Sequence, residues 1–218
     1  MTLAFDLFWS FRSPYSYLAT PRLIEISQRY DVDVRLRPVY PLAVRVDGFF
    51  KRQNPKGPMY TAGDCFRTAQ MLGMGFGPPR PDPIVMNMAT GEVPADQPYI
   101  RRLTHLGQAA VDAGRGLAFI GEVAPLIWSG EVDGWNTGDH LARATERAGL
   151  DLAVLERTAQ TEADRIEAVI QESHKALDDS GHWGVPTMVF QGEPFFGQDR
   201  IDTLLWRMGQ HGLSERSA

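Results

Sequence analysis

The chain has 218 residues, 43% of them apolar, with 22 basic and 27 acidic side chains and a net charge of −5. That is enough apolar material for a sizeable core, while no basic stripe or polybasic run points to nucleic acid or anionic lipid. No stretch of about 18 apolar residues could span a membrane, and the N-terminus, with an acid at position 6 and no basic leader, reads as a strand; a soluble, cytoplasmic protein is expected.

Residues 3–9, LAFDLFW, form a short apolar and aromatic run, the pattern of a buried strand. Residues 14–29 carry Tyr17, Leu18, Leu23, Ile24 and Ile26 at helical spacing. Residues 32–40, VDVRLRPVY, alternate apolar and charged, as a strand with one covered face does. Strand, helix and strand in that order predict a parallel pair joined by a right-handed crossover. A loop rich in Gly, Pro and Lys follows, GFFKRQNPKGPM. Helical patterns then run near 61–73, 97–113, 117–129, 137–148 and 151–178, with the proline cluster GPPRPDP at 77–83 separating the first two. Asp151 ahead of Val154, Leu155, Ile166, Val169 and Ile170 predicts one long amphipathic helix.

Near residue 186 the helical period gives way to strands again. PTMVFQ (186–191) is a strand, GE a turn, and PFF (194–196) starts a second strand. Residues 199–209 close with a helix whose apolar face is Ile201, Leu204, Leu205 and Met208. The order β–α–β, helical block, β–β–α defines an α/β chain. Residues 1–42 and 180–218 would make a thioredoxin-like domain, and 43–179 a helical insertion.

The junction after the first strand is Ser13-Pro14-Tyr15-Ser16. Thioredoxin-like chains commonly carry Cys-x-x-Cys there, and here both ends of the frame are serine. Taken alone, Ser-Pro is explained by capping, because Ser is a preferred N-cap and Pro a preferred first helical residue. The same geometry also stabilises an anion, because the amides at a helix start point outward with partial positive charge. A serine hydroxyl is a poor nucleophile without a base, and no histidine lies nearby in sequence. Ser13 therefore reads as a donor to a thiolate that comes from elsewhere. The single cysteine, Cys65, excludes an intramolecular disulfide and reads as a small buried hydrophobe on a helix of the insertion.

Two later stretches complete the pattern. In HWGVPTMVF, Pro186 at a strand start marks an edge or a cis turn, which would leave the Val185 backbone open to a peptide-like ligand. In FFGQDRID, Gly197 permits an abrupt turn and Asp199 is placed to cap the last helix. A ligand reading adds an α-carboxylate on the amides of Gln198 and Asp199 and an α-ammonium on the Asp199 carboxylate.

Together SPYSYLA (13–19), WGVPTMVF (183–190) and FFGQDRID (195–202) resemble the 2-hydroxychromene-2-carboxylate isomerases and kappa-class glutathione transferases, which share a DsbA-like fold. Order, length and helical insertion agree along nearly the whole chain. The resemblance implies glutathione as cofactor, an aromatic-derived carboxylic acid as substrate, and a homodimer. It implies Ser13 as the catalytic residue, and Val185, Pro186, Gln198, Asp199 and Asn54 as glutathione contacts. No metal is expected. In the isomerases, glutathione adds to a conjugated substrate, a bond rotates, and the thiol is returned unchanged.

The energetics are adequate without a metal. A free thiol has a pKa near ~8.5, and lowering it by about two units requires roughly 2.7 kcal/mol. An exposed helix terminus supplies about 0.3–1 kcal/mol and a hydrogen bond to a charged group about 1.5–3. This chain departs from the family pattern at Ser10, where an acid is common, and at Arg12, usually apolar. The family lysine after Asn54 is missing or is replaced by Lys56. Arg12 either pairs with a substrate carboxylate or is merely solvated. Three further readings stand beside the isomerase: a kappa-like transferase, a non-catalytic glutathione-binding protein, and a disulfide oxidoreductase, against which Ser13 and Ser16 argue.

Overall fold

A computed structural model describes residues 2–87 and 89–216. Strand β1 (Leu3–Trp9) leads through Ser13 into helix α1 (Pro14–Arg29), and β2 (Val32–Pro38) returns parallel to β1. At the other end of the chain, β3 (Thr187–Phe190) pairs antiparallel with β1, and β4 (Glu193–Phe196) pairs antiparallel with β3. The sheet order is β2-β1-β3-β4, so the two ends of the chain build one mixed sheet. A 3-10 turn (Gln198–Arg200) and a helix (Ile201–Gly209) close the chain.

The interior position of β1 follows from its side chains. Phe5, Leu7 and Trp9 point into the main core, and Phe8 joins Val39 and Leu177 in a smaller cluster on the opposite face. A strand buried on both faces carries a continuous apolar run, which is how LAFDLFW reads. Its one charge, Asp6, pairs with Arg37 of β2 at 3.0 Å.

Among the described residues, eight helices lie between β2 and β3. These are α2 (Leu42–Arg45), α3 (Phe49–Arg52), α4 (Lys56–Leu72), α5 (Pro98–Asp112), α6 (Gly116–Trp128), α7 (His140–Arg147), α8 (Leu152–Thr161) and α9 (Ala163–Asp179), so the closing helix is α10. The main core runs without a break from Phe5 on β1 through Ile100, Phe119 and Ile166 to Met208 on α10. Sheet and inserted helices therefore share one interior.

Three expectations need correction. The stretch 48–59 is not all loop: α3 and the start of α4 lie in it, and α2 just precedes it. A four-residue helix is too short to show a period of 3.6 in its sequence. The single helix over 151–178 is two helices, interrupted at Glu162 (φ −114°, ψ 23°). No buried apolar side chain lies between Leu155 and Ile166 among the described residues, Glu162 itself is exposed, and so is Val154. The capping role of Asp151 holds, since its Oδ1 accepts from Val154 N–H at 3.1 Å. Finally, Asp199 does not cap the last helix; it lies within the 3-10 turn, and Gly197 precedes it.

Candidate functional site

The C-terminal end of β1 sets the site. Trp9 is fully buried, and its indole N–H donates to Ser16 O and Thr20 Oγ1, both at 3.0 Å, which fixes the first turn of α1 against the strand. Ser13 is the N-cap: its Oγ accepts from Ser16 N–H at 3.2 Å and its carbonyl accepts from Tyr17 N–H at 3.1 Å. Pro14 has no N–H. Tyr15 N–H has no hydrogen-bond partner among the described residues, so it is the open donor at this helix mouth. The turn that caps the helix thus also presents an open N–H donor.

The Ser13 hydroxyl also donates to Val185 O at 3.2 Å. The Val185–Pro186 peptide is cis, and Val185 N–H has no partner among the described residues. Thr187 Oγ1 donates to Gly184 O at 2.8 Å and Gly184 N–H donates to His182 Nδ1 at 3.0 Å, a local brace for this loop. Glycine lets the loop lie close to β4 at 184, because a Cβ there would stand 2.6 Å from Cε2 of Phe196 and the ring would have to shift.

The third piece joins the second directly. Gly197 N–H donates to Pro186 O at 2.9 Å. Gly197 has φ 103°, a conformation open to glycine, and the Asp199 carboxylate folds back over it so closely that a Cβ would meet Oδ1 at 2.6 Å. Neither Gln198 nor Asp199 uses its N–H within the described residues. Asp199 is mostly exposed, with Arg200 Nη1 3.4 Å away. Ser13, Val185, Pro186, Gln198 and Asp199 thus form one continuous edge, from a helix mouth across a cis-proline loop to a 3-10 turn.

The model of the DSBA-like thioredoxin domain matches residues 4–209, which include every residue of that edge. The chain belongs to the DSBA-like thioredoxin domain family. A 2-hydroxychromene-2-carboxylate isomerase of Pseudomonas putida is 27% identical over 210 residues, 94% of each chain. A solved structure of 2-hydroxychromene-2-carboxylate isomerase is 23% identical, with a TM-score of 0.71 over 96% of each chain. The cytosolic disulfide reductase DsbM of Pseudomonas aeruginosa is 18% identical, with a TM-score of 0.63 over 96% of this chain and 100% of that one. It has also been solved with GSH, at 15% identity and a TM-score of 0.60 over 95% and 100% of the two chains. Within the DSBA-like family, the serines at both ends of the Ser13–Ser16 frame leave this site with no sulfur of its own.

The remaining candidates do not join the edge by hydrogen bonds. Asn54 is exposed, and its Oδ1 accepts from Lys56 N–H at 3.0 Å in a local turn ahead of α4. Arg12 is neither free nor merely solvated. It forms a two-point ion pair with Asp82, at 3.1 Å and 2.8 Å, and lies 5.8 Å from the Phe50 ring. Cys65 is fully buried beside Tyr15, whose OH donates to Asp64 Oδ2 at 2.8 Å. Burial pushes the Cys65 thiol up to about 12, Asp64 adds to the rise, and a bond from Tyr15 offsets part of it. No group of metal-ligating side chains occurs among the described residues.

Sequence reasoning missed a polar network beside the loop. Tyr40 donates its OH to Glu167 Oε2 at 2.6 Å and its N–H to His174 Nε2 at 2.9 Å. His105 Nε2 is 3.1 Å from both Tyr40 OH and Glu167 Oε2, and Gln171 Nε2 donates to Glu167 Oε1 at 2.7 Å. Burial pushes the Glu167 carboxyl up, but bonds from Tyr40, Gln171 and His105 outweigh it and hold it at about 2. The signal was available: Glu167, Gln171 and His174 form a polar row at helical spacing on α9.

Proposed function

We propose that this chain is a glutathione-dependent isomerase acting on a 2-hydroxychromene-2-carboxylate-like aromatic acid. The observation that carries the reading is the Ser13 hydroxyl, held between Ser16 N–H and Val185 O in a frame without cysteine. The likeness to the Pseudomonas putida isomerase supplies the reaction and the substrate class. The residues fit a peptide thiol: Val185 has an unpaired N–H, Gln198 and Asp199 have unpaired N–H groups, and Asp199 adds a carboxylate.

Bound glutathione would supply a thiolate that adds to a conjugated double bond, permits rotation about it, and leaves again. The chain's own residues do the rest. Val185 C=O exchanges the Ser13 hydroxyl for a ligand N–H, which frees Ser13 to turn its proton toward the sulfur. Ser13 O–H and Tyr15 N–H then hold the negative charge at the helix mouth. Asp199 takes the ammonium of the γ-glutamyl group, and the Gln198 and Asp199 amides take its carboxylate. Ser13 is a donor throughout and forms no covalent bond. A homodimer in the cytoplasm, where glutathione is kept reduced, belongs to the same proposal.

Absorbance assays with the protein, glutathione and a 2-hydroxychromene-2-carboxylate test it. Isomerisation that needs glutathione and leaves its concentration unchanged supports the reading. Stoichiometric loss of glutathione into a stable conjugate would replace it with a kappa-like transferase. Binding of glutathione without turnover on such acids would leave a non-catalytic binding protein. Light scattering decides the dimer.

A further inference from the structure

We propose that Arg45 is a positioning residue for the cis-proline loop, acting as a strut between the end of β2 and the backbone that precedes Val185. Its Nε donates to Tyr40 O at 2.8 Å and its Nη2 donates to Trp183 O at 2.7 Å. One guanidinium edge thus ties together two carbonyls from opposite ends of the chain. This role deepens the reading that Val185 pairs with a peptide-like thiol, and rests on it for its effect on binding.

The Tyr40 end of the strut is fixed. Tyr40 is 3% exposed, and its N–H, carbonyl and hydroxyl are all bonded, to His174, Arg45 and Glu167 respectively. Its neighbour Val39 donates its N–H to Trp9 O at 2.9 Å, so Tyr40 is joined to the strand that delivers Ser13. The other end is less fixed. Trp183 is 59% exposed and stacks on His182, which in turn stacks on Phe196 of β4. The bonds from this loop to the rest of the site fall later, at Val185 O and Pro186 O, and those of Gly184 and Thr187 are local, from Gly184 to His182 and from Thr187 to Gly184. Arg45 is the bond from the Trp183 carbonyl to the body of the protein among the described residues.

Val185 itself is held by the Ser13 bond and by packing on the cluster of Phe8, Val39 and Leu177, whereas Trp183 lies largely exposed beside a cavity. That cavity, of about 680 Å³, is lined by Tyr40, Arg45, Glu167, His174 and Trp183. Without the guanidinium, Trp183 O faces the cavity, and the segment leading into Val185 loses its tie to Tyr40. A lysine could not replace the arginine fully, because an ammonium is a point donor and lacks the planar fork that meets two carbonyls along one edge.

Arg45→Met and Arg45→Lys test the proposal on the intact chain. Hydrogen–deuterium exchange of the unliganded proteins should be about tenfold faster at the Gly184 amide, which donates to His182 Nδ1, in Arg45→Met, with residues 4–9 and 118–127 unchanged and Arg45→Lys intermediate. Calorimetry with glutathione should give a Kd raised by about tenfold in Arg45→Met, while kcat at saturating glutathione stays within about twofold. Unchanged exchange at Gly184 would overturn the proposal. So would a uniform rise in exchange across the chain with unchanged glutathione affinity, which would make Arg45 a residue of the fold alone. If the wild-type chain does not bind glutathione, the functional reading falls, and the exchange measurement still decides the strut. If Arg45→Met does not fold, Arg45→Lys carries both measurements.

Discussion

The hydroxyl of Ser13 and the carbonyl of Val185 stand 3.2 Å apart although 172 positions separate them in the chain. The contact joins the mouth of α1 to the loop before β3. It also gives Ser13 two bonds with different consequences: accepting from Ser16 N–H caps a helix, and donating to Val185 O is the bond that a ligand would exchange.

Ser13→Ala separates these two effects. Loss of a hydrogen bond to a charged group costs about 1.5–3 kcal/mol, so turnover should fall roughly 10- to 150-fold. Loss of the cap should lower stability by about 1 kcal/mol, small enough to leave the protein folded. Steady-state kinetics beside urea unfolding measures both, and full activity in a slightly destabilised variant would make Ser13 only a cap.

Asp199→Asn should weaken glutathione binding and leave cysteinylglycine, a thiol without the glutamyl headgroup, unaffected. The variant keeps the shape over Gly197 and removes the charge. Calorimetry with both thiols checks it. Equal loss for the two would make Asp199 a structural residue of the 3-10 turn.

No dithiol–disulfide exchange is expected in insulin reduction or in refolding of a reduced substrate. Such exchange needs a second local thiolate to resolve the mixed disulfide. Cys65 is buried, with a thiol pushed up to about 12, first by burial. It should therefore react with an aromatic disulfide reagent only on unfolding, and Cys65→Ala should retain activity. Loss of activity with folding intact would put the wrong sulfur in the site.

Acid should weaken the fold through His174. Burial, then the neighbouring Arg45 charge, lowers its pKa from 6.5 to about 4. Between those values the unfolded chain binds a proton that the folded chain does not, so stability is full above pH 6.5 and falls as pH drops toward 4. His182, also lowered by burial, acts in the same direction. Glu167, held at about 2 against an ordinary 4.5, extends the loss below pH 4.5. Urea midpoints at successive pH values should show this slope, and His174→Gln should flatten it between pH 6.5 and 4, leaving the share of His182.

Gly184→Ala should destabilise by about 1–3 kcal/mol, the ordinary cost of forcing atoms into filled space. The new methyl would meet Phe196 at 2.6 Å and His182 Cε1 at 3.1 Å. Thermal unfolding measures the loss, and an unchanged midpoint would mean that the aromatic stack yields freely.

Much of this was legible in the sequence where one local signal determined one local structure. LAFDLFW read as a strand because it is buried on both faces, and Ser13-Pro14 marked the start of α1 because capping and a fixed φ are local properties. The cis turn at Pro186 and the abrupt turn at Gly197 read correctly for the same reason, whereas Asp199, expected to cap the last helix, lies in the 3-10 turn. What escaped depends on partners distant in the chain. Nothing near Arg12 announces Asp82, and nothing near Tyr40 announces Glu167 or His174. The break at Glu162 also escaped, because the surrounding residues tolerate a helix and only the absence of a buried apolar side chain marks it. Asn54 was drawn toward the site by family likeness, whereas its own loop binds it locally.

The sheet order has a consequence for the birth of the protein. β1 lies between β2, which follows it after one helix, and β3, which follows the whole block of inserted helices, so a ribosome must deliver that entire block before β1 can gain its second neighbour. Until then one edge of β1 waits without a strand, although inserted helices can already pack on both of its faces, α9 bringing Leu177 to the Phe8 side. Protease resistance of β1 in stalled nascent chains should therefore appear only once residues through β3 have emerged. Chains cut short after Asp179 would hold every inserted helix, yet carry Ser13 at the end of a half-paired strand, with no loop opposite it.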